Sequence, residues 1–346
     1  MIRVLVTDDS AVTREYLAYL LGEDPALEVV GTTRDGLEAV EQVERLKPDV
    51  IVMDAYMPRM NGYEATRQIM ERVPTPIVMV SASFSREEVA MTFEALKAGA
   101  LTVVEKPGGP DHPDYAEGAR RLVETVKLMA EVKVVRRWPK RERPVPPSPL
   151  PAKPDRKIRL IAIGASTGGP QVVAEILARL PPDLGVPILV VQHITPGFTA
   201  GLVEWLAQEA RLTVKLAEPA ESVRPGTVYL APHGFQIGIT TDGRIRLPKE
   251  PAEDGFSPSA SHLFQSVAEA YGRSAIGILL TGMGRDGAKG LLRLREAGGV
   301  TIAQDKETSV IFGMPGEAVR LGAAMYVLSP EQIAGTIRSM VTPGVL

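Results

Sequence analysis

"IAIGASTGGP", Ile161 to Pro170, reads as a short apolar strand that breaks into a glycine-rich turn with Ser166 at its apex and then enters a helix. The same grammar recurs outward in both directions. Towards the C-terminus it returns in "VPILVVQH" (186–193), "GTVYLAPH" (226–233), "SAIGILLTGMG" (274–284) and "GVTIAQD" (299–305). Towards the N-terminus it returns in "IRVLVTD" (2–8), "LEVVGTT" (27–33), "PDVIVMD" (48–54), "PIVMVSA" (76–82) and "LTVVEKP" (101–107). Segments of helical periodicity, such as "SAVTREYLAYLLGED" and "EATRQIMERV", lie between them. Short Val/Ile-rich runs alternating with amphipathic stretches predict βα units and parallel sheets covered on both faces. "TTDGRIRLP" (240–248) predicts a hairpin through its Asp-Gly turn. The class is α/β, with mostly parallel, doubly wound sheets.

The chain has 346 residues, enough for two domains at roughly 100 to 200 residues each. The boundary falls where seven prolines lie between Pro139 and Pro154 among lysines and arginines. Proline fixes φ and removes a donor, so this stretch predicts an extended tether. Charge divides at the same place. Residues 1–130 carry 14 basic against 22 acidic side chains, 131–156 carry 8 against 3, and 157–346 carry 17 against 17. A neutral C-terminal domain lacks the basic face that displaces counterions from nucleic acid, so nucleic-acid binding is not expected. No apolar run approaches the ~18 residues of a spanning helix, and "MIRVLVTDDS" enters a strand directly without a leader pattern. Membrane insertion is not expected, and a cytoplasmic location is. With no cysteine in the chain, side-chain nucleophilic chemistry must rest on Ser, Thr, Lys, Asp or His.

In the N-terminal half, Asp8 and Asp9 follow the first strand, Asp54 ends the third, Ser81 the fourth and Lys106 the fifth. The carboxyl ends of an open α/β sheet share one edge, where ligands bind. Three crowded carboxylates repel unless a divalent cation holds them, and an all-oxygen set suits Mg²⁺. With the metal and the Lys106 ammonium offsetting charge, Asp54 can attack a phosphoryl donor and carry an acyl phosphate.

In the C-terminal half, two chemistries compete for the opening stretch. Glycines ahead of a helix present N–H groups to an anion, but "GASTGGPQ" lacks the Lys-Ser/Thr ending of a phosphate loop and the spacing of a dinucleotide turn. Gly164 to Gly168 do satisfy G-x-S-x-G, which projects a serine from a sharp strand-to-helix turn. A serine becomes a nucleophile beside a histidine whose tautomer a carboxylate fixes. His193 ends the strand after the first helix and His233 ends a later one, so both are candidates for the base, while His262 sits at a helix start. Asp286, in a glycine-rich turn after an apolar strand, is the candidate third member. The order Ser, His, Asp differs from that of α/β-hydrolases.

"VTDDS", "MDAYMPRMNG", "VSA" and "EKP" resemble the motifs of response-regulator receiver domains over roughly residues 1–125. The resemblance implies a flavodoxin-like fold. It implies Asp54 as phosphoacceptor, Asp9 and Asp54 as Mg²⁺ ligands with Asp8 supporting, and Ser81 and Lys106 at the phosphoryl group. Receivers usually carry Tyr or Phe where this chain has Val103. "IGASTGGP", "VQHITPGFT", "LLTGMGRDGA" and "AQDKETSVIFGMP" resemble the catalytic domain of the CheB family of methylesterases over roughly residues 157–344, and the receiver, tether and catalytic order matches that family. This second resemblance implies a Rossmann-like domain (157–346) after a helix end and linker (126–156), with no cofactor for ester hydrolysis. It implies Ser166 as nucleophile, His193 as base and Asp286 as its orienting partner, with Thr167 and the Met283 backbone near the oxyanion. The implied substrates are γ-glutamyl methyl esters of chemoreceptors, with deamidation of receptor glutamines in some members. The implied phosphodonor is a chemotaxis histidine kinase, and the implied control is relief of inhibition by the receiver. The family often has glycine where His233 stands and Asp where Ser261 stands. A phosphorylation-controlled adaptor without chemistry is the alternative reading, and a transcription factor a more distant one.

Overall fold

Val/Ile-rich runs build the two large parallel sheets of the computed structural model, which describes residues 1–82, 86–109, 111–113, 115–132, 134, 157–249 and 255–341. The chain divides into two compact units, Met1–Pro144 and Val145–Leu346. The seven prolines of the expected tether lie outside the described residues.

The N-terminal unit runs β1 (Ile2–Thr7), α1 (Ala11–Gly22), β2 (Leu27–Thr33), α2 (Gly36–Leu46), β3 (Val50–Asp54), α3 (Gly62–Arg72), β4 (Ile77–Ser81), α4 (Arg86–Ala98), β5 (Thr102–Glu105) and α5 (Tyr115–Ala130). All five expected strands form, in the order β2-β1-β3-β4-β5, and every pairing is parallel. Every residue of β3 and β4 is buried, as a sheet covered on both faces requires. Polar residues at the helix entries set where the strands stop. Ser10, Asp35 and Asn61 each accept an N–H of the first turn with the side chain, satisfying donors the helix leaves open. Gly62 is required at the start of α3, because a Cβ there would collide with the Asp54 carbonyl.

The C-terminal unit runs β6 (Leu160–Ala165), α6 (Gly169–Ala178), β7 (Ile188–Gln192), α7 (Thr199–Glu209), β8 (Thr213–Leu216), β9 (Thr227–Leu230), β10 (Gly238–Ile239), β11 (Ile245–Arg246), α8 (Ala260–Ala270), β12 (Ala275–Leu279), α9 (Ala288–Glu296), β13 (Val300–Gln304), α10 (Met314–Arg320), β14 (Tyr326–Leu328) and α11 (Pro330–Val341). Its main sheet has seven parallel strands in the order β14-β13-β12-β6-β7-β9-β8. The five strands expected from sequence form its middle. The structure adds β8 and β14 at the two edges, where strands are short and only partly buried. β10 and β11 pair antiparallel across Thr240 to Arg244, with Gly243 at φ 81°, so the Asp-Gly hairpin forms as expected.

Each of the two large parallel sheets has a point where strand order turns back on itself. In the N-terminal unit the reversal lies between β1 and β3, and in the C-terminal unit between β6 and β12. At such a point the connecting segments diverge to opposite faces and open a crevice beyond the carboxyl ends of the strands.

Candidate functional site

Asp8 and Asp9 leave β1 and Asp54 ends β3, so the reversal of the first sheet collects all three acids. One carboxylate oxygen from each lies within 4.8 Å of the others. Asp8 and Asp54 are buried and Asp9 is exposed. Lys106, just past β5, sends its Nζ to Asp8 Oδ2 at 2.7 Å and to Asp54 Oδ1 at 3.0 Å. Lys106 thus bridges two of the three acids. Burial is the largest influence on Asp54 and raises its pKa; Lys106 opposes it, Asp8 and Asp9 add to it, and the carboxyl is pushed up to about 6. Burial works against the Lys106 ammonium, but Asp54 and Asp8 outweigh it and lift Lys106 above the usual amine value. The donor set is all oxygen and under-neutralised, so the residues present fit a hard divalent cation. Ser81, buried at the end of β4, donates its hydroxyl to Glu88 Oε2 of α4 at 3.1 Å. Val103 is buried within β5 and pairs in register with Met79.

At the reversal of the second sheet stands Ser166. Register places Ala165 opposite Gln192, so Ser166 and His193 leave the sheet side by side, and His193 N donates to Ala165 O at 2.9 Å. Gly168, at φ 75°, makes the left-handed turn that starts α6 two residues after the serine. From the other strand of the reversal, Gly282 packs against the serine so closely that a Cβ there would sit 2.6 Å from Ser166 Cβ. Met283 follows in the same loop and is exposed. Thr281 bridges the two loops by donating its hydroxyl to Thr167 O at 3.0 Å.

His193 Nε2 lies 2.9 Å from Asp286 Oδ2. Asp286, almost fully buried, occupies the N-terminus of α8. Its Oδ1 accepts from Ser259 Oγ at 2.8 Å and Ser261 N at 3.0 Å, and its Oδ2 accepts from Ala260 N at 2.7 Å. Unpaired N–H groups at a helix start are a natural seat for an anion. Burial alone would raise this carboxyl; the His193 ring and the N–H groups of Ala260 and Ser261 outweigh it and hold Asp286 well below the usual carboxylate range. Asp286 is therefore ionised and aimed at His193. His233 is exposed on the loop after β9.

Several residues that support this arrangement were not singled out from sequence. Gln192 ends β7 and donates its amide to Ser166 O at 2.7 Å and to His193 O at 2.9 Å. Gln304 ends β13, accepts from Thr281 N at 2.8 Å and donates to Thr308 O at 2.9 Å. The signal for both was available: a polar residue closing an otherwise apolar strand. Gln236, Phe256 and Ser259 lie in loops and carried no such mark.

Two family models match the chain: CheB methylesterase over residues 161–337 and response regulator receiver domain over residues 4–124. The chain is 52% identical over 343 residues to the protein-glutamate methylesterase/protein-glutamine glutaminase 4 of Geobacter metallireducens, covering 98% of this chain and 99% of that one. It is 50% identical to the corresponding protein 1 of Syntrophus aciditrophicus, covering 96% and 97%. Among solved structures it resembles the CheB methylesterase catalytic domain of Thermotoga maritima, with a TM-score of 0.51 and 40% identity, over 53% of this chain and 98% of that one.

Proposed function

The chain belongs to the CheB methylesterase family, and from that premise we propose that Ser166, His193 and Asp286 hydrolyse glutamate γ-methyl esters of chemoreceptors under the control of phosphorylation at Asp54. It is a protein-glutamate methylesterase joined to a receiver domain, working in the cytoplasm on methylated receptors, with residues 1–125 as receiver, 126–156 as linker and 157–346 as catalytic domain. The observation that carries the catalytic assignment is the buried, ionised Asp286 set 2.9 Å from the ring of His193, which leaves its strand beside Ser166.

With Asp286 on Nε2, the nitrogen of His193 that remains for Ser166 is Nδ1. Ser166 Oγ attacks the ester carbonyl carbon as His193 takes its proton, and Asp286 stabilises the resulting imidazolium. Thr167 and the Met283 backbone, in the turns on either side of the serine, are the groups assigned to the oxyanion. Collapse breaks the bond to the methoxy oxygen, His193 returns the proton, and methanol leaves. Water then attacks the acyl-serine as His193 takes its proton; collapse breaks the bond to Ser166 Oγ, His193 returns the proton to that oxygen, and the glutamate leaves as its carboxylate. The same cycle run on a glutamine side chain expels ammonia, so deamidation needs no further group, although the amide is the poorer leaving group.

In the receiver, Asp8, Asp9 and Asp54 would hold Mg²⁺, whose charge offsets that of an incoming phosphoryl group. Asp54 accepts the phosphoryl group from a histidine kinase, and Lys106 balances the added charge. Ser81 exchanges its bond to Glu88 for one to a phosphoryl oxygen, a rearrangement that draws on α4 and needs no aromatic at position 103.

Methanol release from methylated receptor tests the triad. Ser166→Ala lowers the rate by several orders of magnitude, ~10³ or more, His193→Ala is nearly as damaging and His233→Ala is mild. Near-normal hydrolysis by Ser166→Ala contradicts the assignment, and a severe loss confined to His233→Ala moves the base.

A further inference from the structure

His193 has a second neighbour besides Asp286. The ring of Phe256 stacks on the imidazole, with centroids 4.5 Å apart and planes within 4° of parallel. Phe256 is 41% exposed, so burial in the core does not set its position. Its backbone does. Gln236, completely buried, donates Nε2 to Phe256 O at 2.7 Å and accepts Ser259 N at Oε1 at 2.8 Å. Ser259, Ala260 and Ser261 are the residues that grip the Asp286 carboxylate. One short segment, 256–261, therefore supplies both the aromatic face on the imidazole and the donors that orient the acid at its edge.

We infer that Phe256 is a positioning residue for His193, holding the imidazole plane towards Ser166 and stabilising the imidazolium with its ring face, and that Gln236 is the bracket that fixes Phe256 there. The inference rests on His193 being the base. An aromatic ring prefers a stacked partner to an open space, and its face attracts a cation, so the contact strengthens as His193 takes the serine proton. A leucine fills similar space without that face; a tyrosine keeps it.

Two measurements on the full-length protein test this. In methanol release, Phe256→Leu lowers kcat about tenfold with KM changed less than about twofold, while Phe256→Tyr stays within about twofold of the parent in kcat. In NMR of the protein with its four histidines labelled, the His193 signal, identified by its loss in His193→Ala, moves downfield in Phe256→Leu as the ring current disappears and holds its place in Phe256→Tyr. Unchanged kcat in Phe256→Leu, equal loss in both variants, or a His193 signal indifferent to the leucine overturns the inference. The resonance does not depend on activity, so failure of the serine-hydrolase reading, seen as an active Ser166→Ala, is distinguishable from failure of the stack.

Discussion

Asp54 and Asp286 are both buried carboxylates placed where a parallel sheet reverses, yet their surroundings drive them in opposite directions. Burial pushes each towards the neutral acid. Asp286 meets two backbone N–H groups of a helix start, a serine hydroxyl and an imidazole, and stays ionised. Asp54 meets two further carboxylates and shares one ammonium with Asp8, and is pushed up to about 6. The same topology thus makes a self-sufficient charge in one unit and an incomplete one in the other. A carboxylate that orients a base must be settled before substrate arrives. One that awaits a cation and a phosphoryl group must not be.

Breaking the settled site has the larger effect. Asp286→Asn keeps the shape but loses the charge that fixes the His193 tautomer, and kcat for methanol release falls by roughly 10³ to 10⁴. A loss below about tenfold means that the acid orients nothing. Asp54→Asn leaves this basal activity in place and sharpens the contrast through stability. Because the folded pKa of Asp54 lies above the unfolded value of ~3.9, its linked stability is complete below that value and is lost as pH rises through about 6. In metal-free buffer Asp54→Asn therefore raises stability by up to about 3 kcal/mol above pH 6 and changes little at pH 4, read as the denaturation midpoint at the two pH values. Asp286 has the reverse sign: its contribution is in place above the unfolded value and is lost only as pH falls through its depressed folded value. A midpoint for Asp54→Asn that is lowered at neutral pH contradicts this account of the acidic site.

The interior of both sheets was legible because buried parallel strands are continuous Val/Ile runs whose carboxyl ends share an edge, and Asp8, Asp54, Ser166 and His193 all stand at such ends. "TVKL" and "YVL" were not legible, since an edge strand of three or four half-exposed residues has no run to recognise. The candidate triad could be gathered from strand ends, and the strand after the first helix already favoured His193 over His233; the structure adds that His193 Nε2 lies 2.9 Å from Asp286 while His233 is exposed on the loop after β9. Phe256 and Gln236 lay beyond reach for a different reason. Their positions depend on how a loop packs against another loop, and nothing in the local pattern of an exposed phenylalanine marks it as a wall for a histidine.

In the proposed function the incomplete site governs the complete one. Methanol release from methylated receptor, followed with wild type and Asp54→Ala in Mg²⁺ with and without a small phosphodonor, tests it most directly. The rate rises severalfold when the donor is added to wild type and does not rise with Asp54→Ala, whose basal rate persists. An equal rise in both proteins, or no rise in wild type, contradicts it.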